Sequence, residues 1–218
     1  MSQSVVVYQP CYYPKLHYLA RINSADVFVI FDDVEFSRRS RQHRCEIDFG
    51  SNRWLTIPVK HDGNRTLIKD ARIDNSARWH TEHIETLVHK YGSDARRFEP
   101  FYNAVADEQY PLLVDVTVPT LQELLDAFEV DVELYRSSRM DATHQGNATT
   151  YLADIVEEVG GDEDICGRRA YESYLEEPEF ERREIDVGIQ DWEPTWKDGN
   201  VCALDPLFGA KETATYIE

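Results

Sequence analysis

Two carboxylates, Asp32 and Asp33, leave an apolar run side by side, and Arg38, Arg39, Arg41 and Arg44 follow them closely. Neighbouring side chains at a strand end point to opposite sides, so one carboxylate can enter a cleft and bind a metal, accept a proton or hold a sugar hydroxyl. Clustered guanidiniums suit phosphate or carboxylate groups, which they grip through paired hydrogen bonds. The same residues can equally cap a turn and pair with one another in solvent. His17 and His83 each lie among apolar residues, where an imidazole either titrates in a cleft or sits hydrogen-bonded in a core. Gln9 and Tyr12 follow the first apolar run. Gly167 separates a strand from a helix, a place where a ligand can approach the backbone and helix-start amides attract anions. Gln9, Tyr12, Asp32, Asp33, Arg44, His83 and Gly167 are expected to converge on one pocket. There Arg44, with Arg38 near it, holds an anion, Asp32 or Asp33 orients a hydroxyl or serves as base, and His83 moves a proton; His17 is a further candidate.

The elements that must position these groups follow from pattern. A β-branched run stopped by Pro10 predicts a strand over 5–9. Leu16, Leu19, Ala20, Ile22 and Ala25 fall at helical spacing, with Pro14 acceptable in a first turn, and 26–32 is a short run of β-formers. Strand, helix and strand in so few residues predict a right-handed parallel crossover, and open α/β sheets bind ligands beyond the carboxyl ends of such strands. Gly50-Ser51-Asn52 joins 45–49 to 54–59 as a hairpin, 61–64 is a loop and 67–73 a further strand. Asn75 or Ser76 caps a helix carrying Trp79, His83, Leu87 and Tyr91 along one face. Further helices are expected over 96–110, 118–128 and 169–175, and another, capped by Thr149 or Thr150, ends at Gly160-Gly161. Strands are expected near 132–135, 165–167 and 183–190, and 141–147 reads as a polar, mobile loop. The result is one α/β domain over 1–218: a mainly parallel, Rossmann-like sheet with crossover helices and an added β-hairpin, with 163–218 able to form a small subdomain.

The composition narrows the function classes. A formal net charge of -18 and a pI near 4.7 oppose general binding to nucleic-acid phosphates, which needs a basic face. The acidity is spread along the chain, and arginine outnumbers lysine, a surface that fits a salt-rich cytoplasm and a halophilic source. Cys11, Cys45, Cys166 and Cys202 show no zinc-site spacing, and no secretory leader suggests an oxidising compartment, so free thiols and a cytoplasmic protein are expected. No apolar run approaches a membrane span. Without a Walker loop, a Rossmann glycine triplet or an HExxH motif, the sequence names no cofactor or metal site.

Gln9, Pro10, Tyr12, Pro14, Tyr18, Ala25, Asp26, Asp32, Asp33, Val34, Phe36 and Arg44 stand in an order and spacing that resembles the WbqC-like proteins. The likeness extends to the segment Trp54-Leu55-Thr56-x-Pro58-Val59, to Trp79-x-x-x-His83, to Gly167 with Tyr174 and Leu175, and to Asp205 with Leu207 and Phe208. Lys15 replaces the usual tryptophan, His17 the usual glycine, His43 the usual asparagine, and Cys166 and Ala203 the usual serines. Many members are encoded among genes for surface polysaccharides. The resemblance therefore implies an enzyme that transfers an acyl or aminoacyl group to a nucleotide-activated amino sugar, with Trp79, Tyr174 and Asp205 added to the substrate-binding set. The implied partner is a small molecule such as a nucleotide-sugar. Two other functions stay open: a HIGH-type nucleotidyltransferase, suggested by Leu16-His17 between two strands although Leu19 and Ala20 hold the places of its glycine and second histidine, and a noncatalytic ligand-binding protein.

Overall fold

The computed structural model describes residues 2–60, 65–106, 111–142, 147–197 and 199–218. The loop expected at 61–64, and the parts of 96–110 and 141–147 that fall on 107–110 and 143–146, lie outside the described residues. The chain opens with β1 (Ser4–Tyr8), α1 (Leu16–Asn23) and β2 (Val27–Ile30). The hairpin β3 (Arg44–Asp48) and β4 (Asn52–Thr56) follows. Three helices come next, α2 (Trp79–Tyr91), α3 (Glu99–Ala106) and α4 (Val114–Ala127). Then β5 (Glu133–Arg136), α5 (Ala148–Glu158), β6 (Glu163–Cys166), α6 (Arg168–Ser173), α7 (Glu177–Glu181), β7 (Asp186–Ile189) and α8 (Leu204–Gly209) complete the chain.

The main sheet has the order β5-β2-β1-β6-β7 with every pairing parallel, and β3–β4 forms a separate antiparallel pair. This is the α/β, Rossmann-like arrangement with an added hairpin that the pattern predicts. All four residues of β2 are buried because both sheet faces are covered, which is why an apolar run stands there in place of an alternating one. Val6, Phe28 and Ile30 face a core built with Leu19 and Ile22 of α1, Leu87 of α2, Tyr102 of α3 and Leu121 of α4. Val5, Val27 and Val29 face Ile155 and Val156 of α5 and Phe180 of α7. The hairpin turns Cys45, Ile47 and Leu55 into the first core and leaves Trp54 exposed.

The chain builds outward from β1 in one direction, to β2 and β5, and then returns to place β6 and β7 on the other side. That reversal is the topological switch point where open α/β sheets hold ligands. β1 pairs with β2 from Val5↔Val27 to Tyr8↔Ile30, but with β6 only at Ser4↔Glu163 and Val5↔Asp164. The two strands therefore part toward their carboxyl ends and leave a crevice.

Several local expectations are corrected. A 3-10 turn at Ile68–Asp70 flanked by isolated bridges takes the place of a strand over 67–73. Neither Asn75 nor Ser76 caps α2; Asn75 Oδ1 instead accepts from Trp79 Nε1 at 3.1 Å. Asn147, not a threonine, caps α5, its Oδ1 accepting from the Thr150 amide at 2.9 Å. The segment begun at 96 is a 3-10 turn over Ser93–Phe98 before α3. α4 starts ahead of Pro119 and carries it inside, although a proline removes one ladder donor. Among the described residues no helix is long and apolar enough to cross a membrane.

Candidate functional site

The aspartate pair sits at the end of β2, beside the end of β5. Asp32 is fully buried: its Oδ2 accepts from Arg136 Nε at 2.8 Å, from Arg136 Nη2 and from Ser138 Oγ at 3.0 Å, and its Oδ1 from the Ser138 amide at 3.1 Å. Asp33 accepts from the hydroxyls of Ser137 and Tyr151. Burial and then the Asp33 carboxylate push the Tyr151 phenol far up. These contacts tie β2 to β5 and to α5, with Arg136, Ser137 and Ser138 all engaged by Asp32 and Asp33.

His83 lies in the core beneath α2. Its Nδ1 is 2.9 Å from the Tyr12 hydroxyl, which also bonds Tyr102, and Tyr102 donates to Tyr13 at 3.1 Å. Trp79 packs edge-on against the imidazole at 5.0 Å. Burial lowers the His83 pKa to about 3, which leaves a neutral ring in a buried hydrogen-bonded chain. Arg44, on the hairpin, stacks over exposed Trp54 at 4.4 Å and donates to the Arg39 carbonyl at 2.7 Å, while Arg38 reaches the Val59 carbonyl at 3.5 Å. Asp205 accepts from the Tyr91 hydroxyl at 3.0 Å in a separate surface cavity with Lys90 and Phe208.

Gln9, Gly167 and Tyr174 do meet. They line a cavity of about 460 Å³ in the crevice between β1 and β6. Its walls are apolar, from Val7, Phe31, Leu152 and Leu175, and two charged groups stand in them: Arg21 from α1 and Asp164 from β6. Arg21 is 9% exposed and Asp164 4%. Among the described residues neither forms an ion pair, and the Asp164 carboxylate accepts no hydrogen bond. The Arg21 guanidinium is aimed by Gln190, whose Oε1 accepts from its Nε at 3.0 Å, and by the Tyr8 ring 4.9 Å beneath it. A Cβ on residue 167 would lie 2.5 Å from Arg21 Nη2, so the glycine makes room for the guanidinium. Burial pushes the Asp164 carboxyl up to about 7, against the pull of Arg21. Burying a charge without a partner is costly, and such groups in a cavity mark a site for a ligand that completes them.

A second, smaller cavity of about 190 Å³ shares Tyr8 and Gln9 with the first. It is lined by His17, Lys15, Ser40, Arg41 and Gln42. Gln42 donates to Gln9 Oε1 at 2.7 Å, which fixes the partition between the two spaces. Glu46 pairs with Arg41 at 2.9 Å and with Lys15 at 3.9 Å, leaving one positive charge in excess. His17 Nδ1 meets the Asn200 side chain at 3.1 Å, and burial lowers the His17 pKa, so its ring is neutral at pH 7. Cys11 edges this space and Cys166 the first; burial pushes their thiols up to about 12 and about 11, away from thiolate chemistry.

The seven residues expected in one pocket are thus divided between a strand-end clamp, a core chain, a hairpin surface and the crevice. Arg21 and Asp164, which line it too, are not among those seven. Arg21 stands between Ala20 and Ile22 in a helix whose neighbours on both sides are buried, and that interruption was its signal. Asp164 lies inside β6, one residue ahead of the strand expected at 165–167, so the pattern shows no acid within that strand.

A family model, WbqC-like protein family, matches residues 9–212. The uncharacterized protein Rv1507c of Mycobacterium tuberculosis is 26% identical over 222 residues, covering 94% of this chain and 93% of the relative. No solved structure matches.

Proposed function

The chain belongs to the WbqC-like protein family, and from that premise we propose that it is an enzyme of surface-glycan assembly that transfers an acyl or aminoacyl group to a nucleotide-activated amino sugar. The observation that carries this reading is the pair of cavities meeting at Tyr8 and Gln9. One is apolar with a buried cation and anion, and the other is polar with excess positive charge, the two characters that a donor and a phosphate-bearing sugar require. Lys15 and Arg41 face the phosphates, Ser40 and Gln42 the sugar hydroxyls. Arg21 donates to the acyl carbonyl oxygen as negative charge develops on it. The amide bond forms as the sugar nitrogen attacks the carbonyl carbon, the bond to the donor's leaving group breaks with its electron pair, and the amine proton passes to neutral His17.

Incubation with nucleotide-activated amino sugars and acyl or aminoacyl thioesters, read by mass spectrometry, tests this. A sugar heavier by the acyl group is the expected product. Thermal protection by the nucleotide-sugar without product from any donor replaces the reading with a binding protein, and pyrophosphate release from a nucleoside triphosphate replaces it with a nucleotidyltransferase.

A further inference from the structure

We propose that the crevice cavity takes an aminoacyl unit with a free amino group and an apolar side chain, its ammonium on Asp164 and its carboxyl end on Arg21. The inference rests on the reading of this cavity as the donor side and resolves the choice between acyl and aminoacyl that the reading leaves open. A simple acyl donor would satisfy Arg21 and leave the Asp164 carboxylate buried against hydrocarbon, and an amine without a carboxyl end would leave Arg21 in the same state. The two groups do not neutralise each other, because they stand too far apart for an ion pair. A ligand carrying both groups on one α-carbon satisfies both at once. Much of the remaining lining, Val7, Phe31, Leu152 and Leu175 among it, is a hydrocarbon wall that an aliphatic side chain fits. Gln190 and Gly167 are positioning residues, the first holding Arg21 Nε and the second leaving space beside its Nη2.

A free amino acid presents a carboxylate where the donor has its activated carbonyl, so it serves as the probe. Titration calorimetry of the full chain at pH 8 compares L-leucine with 4-methylpentanoate, which lacks the amine, and with 3-methylbutylamine, which lacks the carboxylate. L-leucine is expected to bind at least tenfold more tightly than either. Asp164→Asn should remove its advantage over 4-methylpentanoate, and Arg21→Gln its advantage over 3-methylbutylamine, with thermal melts confirming that each variant is folded. Equal binding of L-leucine and 4-methylpentanoate, or no binding of L-leucine, overturns the proposal; the comparison of ligands on the unmodified chain decides it even where a variant fails to fold. No nucleotide-sugar and no turnover enter this measurement, so a negative result leaves the group-transfer reading to stand or fall on its product assay.

Discussion

Two strand ends of one sheet carry buried charge, and they treat it in opposite ways. At the end of β2, Asp32 is surrounded by a guanidinium, a hydroxyl and an amide, so that both its carboxylate oxygens have a partner. In the crevice, Asp164 and Arg21 are also buried, though less completely, and have no ion-pair partner among the described residues. A satisfied buried charge fixes geometry, whereas an unsatisfied one costs stability in the free protein and repays it only when a ligand arrives. The acidic pair that draws attention in the sequence is therefore engaged as a clamp, whereas the two residues that draw none line the crevice cavity.

The comparison predicts opposite signs for the two aspartates. Asp32→Ala leaves Arg136 and Ser138 without their acceptor in a buried place and should destabilise by about 3–5 kcal/mol, read as a fall in the urea midpoint; an unchanged midpoint would remove the clamp. Asp164→Asn should do the reverse at pH 8. With its carboxyl raised to about 7 by burial, the folded chain keeps a proton that the unfolded chain releases near pH 4, so stability falls as pH rises from about 4 to about 7 and then levels. Arg21 and Glu163 are the charges that face this group, the first opposing the shift and the second adding to it. The variant should lose that slope and be more stable than the parent by on the order of 2–4 kcal/mol above pH 7. Urea melts at pH 5 and pH 8 decide this, and a parent as stable at pH 8 as at pH 5 would count against an unpaired Asp164.

Smaller changes sharpen the contrast. Gly167→Ala meets the movable end of Arg21, so its stability effect should stay within about 1 kcal/mol while L-leucine binding drops at least tenfold in calorimetry. Retained binding would show that the guanidinium needs no such room. Arg44→Ala removes a surface stack on Trp54 and should shift stability by about 0.5–1 kcal/mol, the smallest effect in the series; a larger loss in the thermal melt would make the hairpin face part of the folding core.

The sheet was legible because its strands are punctuated: Pro10 closes β1, Asp32 and Asp33 follow β2, and Gly160-Gly161 closes α5 before β6. Gln9, Gly167 and Tyr174 could be placed at the crevice from strand ends and motif alone. What the sequence hid was partnership. Arg38, Arg39, Arg41 and Arg44 look like one anion site because they are close in sequence, yet Arg44 and Arg38 turn to backbone carbonyls, and of the four only Arg41 lines the smaller cavity, where it shares Glu46 with Lys15. Arg21 and Asp164 are distant in sequence and are joined only by the switch in strand order. Likewise the helical stripe of Trp79 and His83 was visible, but whether it faced a cleft or a core depended on Tyr12 and Tyr102 arriving from elsewhere.

The early parting of β1 from β6 has a further consequence for how the molecule opens. A sheet bonded at four positions on one side of β1 and at two on the other has a built-in seam. Amide hydrogens along β6 and β7 should exchange with solvent sooner than those of β2, since this edge can lift as a flap while the rest stays closed. A molecule lodged across the seam would act as a stitch, slowing exchange in strands it does not itself touch.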